Sequence, residues 1–250
     1  RAEKSSCATQ SDRQSLSRDD SRQSVMSGYY SEKLAAEKLR RCYEIAPPRV
    51  RQYLAAEIAH VADLIGPTDS VLELGCGYGR VIKELSAAGR LVVGIDTSFS
   101  SLRMAREFLS KSADCHLLQM DAVSTGFQDG SFDTVVCIQN GISAFKVEHT
   151  RLVAESVRIA RPSGLVLLST YSDAFWTERL DWFRRQAEAG LLGEIDDNAT
   201  GDGVIVCKDG FRAMTVAAGE FVALTAGLNV DSRIVEVDGS SLFCEMRVRE

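Results

Sequence analysis

Residues 70–80 read SVLELGCGYGR, and no other stretch constrains the folding of this chain so tightly. An apolar run with Val71, Leu72 and Leu74 meets glycines at 75, 77 and 79. An amphipathic segment with Val81, Ile82 and Leu85 follows at once. That order is a strand, a tight turn and a helix start. Glycine is demanded where φ is positive, or where backbone must approach a ligand more closely than a Cβ allows. The helix start adds free N–H groups and the positive end of a dipole. A second apolar run, VVGID at 92–96, ends in Asp96, where a carboxylate can accept from the two hydroxyls of a nucleotide's ribose.

Spacing then narrows the nucleotide. The glycines alternate as G-x-G-x-G with Glu73 two residues ahead, and Arg80 stands where a dinucleotide motif would place its third glycine. At 250 residues the chain has room for one α/β domain with additions. Net charge −6 argues against a broad nucleic-acid or anionic-membrane footprint, which needs a basic surface. No apolar run approaches the ~20 residues of a membrane span. The seven cysteines are scattered without a C-x-x-C pair, which fits reduced thiols in a cytoplasmic setting and neither a disulfide frame nor a zinc site.

Residues 1–27 are dense in Ser, Arg, Gln and Asp and nearly lack aliphatics, so a disordered tail is expected there. A targeting role for this arm stays open, although Glu3, Asp12, Asp19 and Asp20 depart from a transit-peptide pattern. Residues 28–250 read as one domain. Two helices, 31–46 and 48–65, make an N-terminal cover (28–66) that stops at Gly66-Pro67. Strands at 70–74, 91–95, 115–120, 132–138 and 165–170 then alternate with helices at 79–88, 98–110 and 148–160. Nearly continuous apolar strands separated by helices predict a doubly wound, mostly parallel α/β sheet. Beyond it lie a helix at 173–189, a hairpin of 204–208 and 211–216 around Asp209-Gly210, and a short helix at 219–226. Runs at 230–237 and 242–248 around Asp238-Gly239 complete a seven-stranded sheet with an antiparallel edge. The inserted hairpin region spans 193–217.

The chain resembles the class I S-adenosylmethionine-dependent methyltransferases, with their Rossmann-like fold. The resemblance rests on residues 70–80 and Asp96, on Asp121-Ala122 after the third strand, on SFDTVV at 131–136, and on RPSGL at 161–165, in matching order. It implies a cofactor, S-adenosyl-L-methionine, and a role for each matching residue. Gly75, Cys76 and Gly77 would pass under its methionine part, with Glu73 ordering the loop. Asp96 would take the ribose and Thr97 would neighbour the adenine. Asp121 would accept from the adenine amine beside Ala122, with Met120 against the ring. Ile138, Gln139 and Asn140 would meet the methionine amino group, Asn140 opening onto the acceptor.

Several positions keep two readings. Tyr29-Tyr30 is either a lid, Tyr30 on the cofactor and Tyr29 on the substrate, or a staple for the first helix. Phe145, Tyr171, Phe175, Trp176 and Phe211 either wall an acceptor pocket or fill the core, and Tyr171 and Trp176 are the substrate-binding candidates. His149 is a candidate base or a solvated first-turn residue. His60 and His116 fall away from the expected site. Cys76 reads as a small loop residue and not as a nucleophile. Methyl transfer from a sulfonium asks mainly for positioning. The site after the fourth strand reads QNGI at 139–142, unlike the D/N-P-P-Y/F of many enzymes that methylate nucleic acid or protein glutamine. The expectation is therefore methylation of an O, N or S nucleophile on a small molecule. A protein-modifying enzyme that docks its partner on the 193–203 loop, and a non-catalytic cofactor binder, are the alternatives. No metal-ligand spacing is present, and oligomeric state stays open.

Overall fold

The structure, a computed structural model, describes residues 34–87, 90–110 and 115–250. The expected tail at 1–27 and the Tyr29-Tyr30 pair lie outside the described residues. Helices α1 (Glu37–Glu44) and α2 (Pro48–Leu64) lead in, α2 opening on Pro48, whose fixed φ suits a first helical turn. There follow β1 (Ser70–Leu74), α3 (Arg80–Ala87), β2 (Leu91–Asp96), α4 (Phe99–Phe108), β3 (Cys115–Gln119) and β4 (Phe132–Cys137). A short α5 (Gly141–Ala144), which no periodicity announces, precedes α6 (His149–Ile159) and β5 (Ala160–Tyr171). A 3₁₀ turn (Asp173–Phe175) runs into α7 (Trp176–Glu188). The chain then makes β6 (Ile205–Val206), β7 (Arg212–Ala213), α8 (Ala218–Thr225), β8 (Val230–Val237) and β9 (Ser241–Val248).

Seven strands join in the order β3-β2-β1-β4-β5-β9-β8. The first five run parallel, and β9 enters antiparallel to both β5 and β8, so the single reversed strand sits beside the edge strand of the closing hairpin. Asp238 and Gly239 turn that hairpin with φ of 57° and 60°, as a tight primed turn requires. Alternate residues of each strand face opposite layers. Val71, Val92 and Val136 pack with Val61, Ile82, Leu85 and Leu102 from α2, α3 and α4. Leu72, Leu74, Ile95 and Val135 pack instead with Ile142, Leu152 and Phe221 from α5, α6 and α8. Each such side chain, taken fully out of water, stabilises by roughly 1.5–3 kcal/mol.

The RPSG turn proves to be a bulge within β5. Ala160 pairs with Phe132 and Leu165 with Thr134, so residues 161–164 swell outward, with Ser163 at φ 62°. The hairpin at 204–216 keeps only two paired positions, Ile205 with Ala213 and Val206 with Arg212. Its apolar residues serve a third cluster, in which Ile205, Cys207 and Phe211 pack with Leu34, Tyr53, Phe175, Trp182 and Phe183. That cluster holds α1, α2, α7 and the insertion above the carboxyl ends of the strands.

Candidate active site: a two-part cavity at the strand ends

β1 ends in a loop whose Gly75, Gly77 and Gly79 all have positive φ. The need is clearest at Gly75, at φ 74°, where a Cβ would lie 2.4 Å from the Phe145 ring. The Gly75 and Cys76 amides both donate to the Ile95 carbonyl (2.8 and 2.9 Å), folding the loop onto β2. Asp96, at the end of β2, accepts from the Gly77 amide (2.9 Å) and the Ser98 amide (2.7 Å). Burial pushes its carboxyl up, and those two amides oppose the shift. Glu73 is 5% exposed, and its Oε2 has no hydrogen-bond partner. Burial pushes it up to about 8, although the Arg80 charge pulls the other way. The Cys76 thiol is raised well above its ordinary value by burial and stays protonated at neutral pH, as a loop-filling residue would.

These groups line a cavity of about 520 Å³, within the range of small-molecule sites. Glu73, Gly75, Cys76, Gly77, Asp96, Thr97, Met120, Asp121, Ala122, Ile138, Gln139, Asn140 and Tyr171 all line it. Met120 is tied to β2 by its amide on the Asp96 carbonyl (3.1 Å), and Asp121 is exposed, accepting from the Val123 amide (3.0 Å). His149 and Trp176 do not line it. His149 opens α6 with its ring 3.1 Å from Glu220, and Trp176 packs over the Arg179 guanidinium at 5.8 Å. Phe175, 1% exposed, packs 5.1 Å from Tyr53, in the core.

Beyond Cys137 the backbone is strained. Gln139 and Asn140 have φ of 58° and 62°, a conformation that persists where surroundings over-determine it. The restraint is Glu57 of α2, fully buried. Its Oε2 accepts from the Gln139 amide (2.6 Å) and the Ser169 hydroxyl (3.0 Å), and its Oε1 from the Ser241 hydroxyl (2.6 Å). Burial still pushes Glu57 up to about 7. The Asn140 amide is committed on both sides. Its Nδ2 donates to the Met214 carbonyl (3.0 Å), and its Oδ1 accepts from the Thr170 hydroxyl (2.8 Å). Asn140 thus ties the fourth strand to the insertion, with little hydrogen-bonding capacity left for a ligand.

The second half of the cavity lies under α1 and α7. Tyr43, Tyr171, Trp182, Phe183 and Phe211 wall it, with Gln186 among them. The Trp182 Nε1 donates to the Cys42 carbonyl (2.9 Å), which fastens α7 to α1. Phe145 stands against Gly75 and Gly141, at the junction of the two halves. Arg80 also lines the junction. Its guanidinium sits 4.5 Å above the Tyr43 ring and donates to Gln139 Oε1. Sequence reasoning passed over Arg80, registering it only as an absent glycine. It also missed Trp182, Phe183 and Gln186, which share the buried face of α7 with Arg179.

Residues 71–164 match a family model described as a methyltransferase domain. That stretch is similar to a methyltransferase domain. Over 107 residues the chain is 33% identical to a ubiquinone biosynthesis O-methyltransferase of Thiobacillus denitrificans, a match covering 40% of this chain and 43% of that protein. It thus spans less than half the length of such curated relatives. Among solved structures, a SAM-dependent methyltransferase from Methanosarcina mazei superposes with TM-score 0.57 at 20% identity, over 76% of this chain and 97% of that one. A magnesium protoporphyrin IX methyltransferase from Synechocystis with bound SAH gives TM-score 0.59 at 17% identity, over 91% and 99%. These two likenesses speak to the fold. The doubly wound sheet, strand order included, is the architecture on which the cavity stands. No described helix is long and apolar enough to cross a membrane.

Proposed function

We propose that this chain binds S-adenosyl-L-methionine and transfers its methyl group to an O, N or S nucleophile of a small molecule. One observation carries the reading. A crevice with an orphaned buried carboxylate oxygen on Glu73, a glycine floor and a half-satisfied Asp96 is continuous with an aromatic-walled chamber. The donor's parts suit the residues present. A methionine ammonium satisfies Glu73 Oε2, which otherwise sits buried at a cost of about 1–3 kcal/mol. Ribose hydroxyls can donate to the lone pairs that Asp96 keeps after serving Gly77 and Ser98. The Asp121 carboxylate accepts an adenine amine at the rim, and Met120 and Ala122 supply apolar contact.

When bound, the donor supplies a methyl already activated on a sulfonium, so the protein's task is to position and to exclude water. Phe145 narrows the passage between the halves. The Glu57 clamp on Gln139 fixes the strand end at which donor and acceptor meet. No imidazole lines the chamber among the described residues, and His149 is held by Glu220 away from it. A small acceptor is favoured over a protein side chain because α1, α7 and Phe211 roof the chamber. Calorimetric titration with S-adenosylmethionine and S-adenosylhomocysteine tests the first half of this reading, and absence of heat with both would end it. Labelled methyl offered with a fractionated lysate tests the second. Label is expected in small molecules, and label confined to macromolecules would overturn the acceptor class.

A further inference from the structure

The acceptor chamber has an electrical preference as well as a shape. A ring face attracts a cation through its quadrupole. Here two of the walls already carry a cation on one face: Arg80 lies 4.5 Å from the Tyr43 centroid, and Arg179 lies 4.5 Å from that of Tyr171. A second cation inside the chamber would meet the Arg80 guanidinium, which itself lines the cavity, and would lie near the Arg179 guanidinium behind Tyr171, in a setting where water screens little. Gln186 is 3% exposed and lines the chamber, yet its side-chain amide makes no hydrogen bond with the described residues. Its amide opens on the cavity and offers both a donor and an acceptor to whatever fills the space. The other titratable groups there stay neutral: burial raises the Tyr43 and Tyr171 hydroxyls, and it pushes the Cys42 thiol up to about 12. Glu73 faces the junction and is itself pushed up to about 8.

Resting on the methyl-transfer reading above, we propose that the chamber takes a planar aromatic hydroxyl compound, with its ring between the aromatic walls and its oxygen on the Gln186 amide in the field of Arg80. An aromatic ammonium of the same size is disfavoured. An aryl hydroxyl of ordinary pKa near 10 is drawn down by a neighbouring guanidinium and an amide donor. Its proton leaves to solvent on binding, and the oxygen is left as the nucleophile without a protein base.

The test uses 4-nitrophenol, whose phenol and phenolate forms absorb differently, bound to the whole chain saturated with S-adenosylhomocysteine. Its apparent pKa is expected to fall by about one unit, a tenfold shift toward phenolate. Arg80→Gln should remove most of that shift, and Arg80→Lys should retain it. Gln186→Leu should weaken 2-naphthol binding about fivefold and leave S-adenosylhomocysteine binding unchanged. 2-Naphthylmethylamine should compete at least tenfold less well than 2-naphthol. An unchanged or raised nitrophenol pKa, equal or better competition by the amine, or no binding of either naphthalene while S-adenosylhomocysteine still binds would overturn the proposal and leave the donor reading standing. Failure of S-adenosylhomocysteine to bind would remove both.

Discussion

The proposed donor half of the cavity takes its groups from the carboxyl ends of β1, β2 and β4 and from the loop after β3, while the proposed acceptor half draws on α1, α7 and Phe211 of the insertion. In the first, backbone conformation does most of the work. Glycines adopt positive φ, and amides fold loops onto neighbouring strands and onto Asp96. In the second, side chains do it, by packing rings against one another and by the hydrogen bond from Trp182 to Cys42. A site built from backbone tolerates little substitution but can be reused for one invariant ligand. A site built from packed side chains can be reshaped residue by residue, which is what a variable acceptor requires.

That contrast can be broken at several points. The largest effect is expected from Gly75→Val. Left-handed backbone costs a side-chain-bearing residue roughly 1–2 kcal/mol, and the clash with Phe145 adds roughly 1–3 kcal/mol of overpacking. Donor binding should vanish from calorimetry, and the denaturant midpoint should fall. Arg179→Met probes the other half. The Arg179 guanidinium donates to the Gly203 and Ala213 carbonyls (2.9 and 3.0 Å), so its loss should cost about 2–4 kcal/mol. Hydrogen exchange should accelerate through the insertion while S-adenosylhomocysteine affinity holds. A loss of donor affinity would show that the halves are not separable.

Glu73 gives a pH signature. Its folded pKa, about 8, lies above the ordinary 4.5, so the native state keeps a proton that the unfolded chain has lost. Stability of the ligand-free protein should therefore fall as pH rises from about 4.5 to about 8, and Glu57 adds a slope of the same sign up to about 7. Glu73→Gln should flatten the Glu73 part of that slope, on the order of a few kcal/mol, and weaken donor binding. Denaturant titrations across this range measure it, and an unaltered slope would contradict the assignment. Asp96→Ala should weaken donor binding by about 1–3 kcal/mol, since it removes a charge-assisted acceptor. The smallest effect is expected from Trp182→Phe, about 1 kcal/mol of stability for one lost hydrogen bond, with donor affinity unchanged.

The same contrast explains what could be read from residues alone. The donor half is local: the loop at 75–79, Asp96 and Asp121 each follow a strand whose apolar run announces it. The sheet was legible for the same reason, down to the Asp238-Gly239 turn. The acceptor half is not local. Trp176 and Trp182 lie on one helix with similar neighbours, and only the Trp182 bond to Cys42 decides which ring faces the cavity. His149 looked well placed after β4, but its direction is set by Glu220, far along the chain. Glu57 was hidden inside an ordinary amphipathic helix, because its donors come from β4, β5 and β9.

The Glu57 clamp also anchors α2 over the strand ends. Raising α2 off the strand ends would strip a buried carboxylate of an amide and two hydroxyl donors at once, so that helix is a fixed doorpost. Its neighbour α1 is held to α7 by the Trp182 bond to the Cys42 carbonyl and by packing of the Tyr43 and Trp182 rings. The Pro47-Pro48 joint separates that side-chain-held helix from the carboxylate-anchored α2.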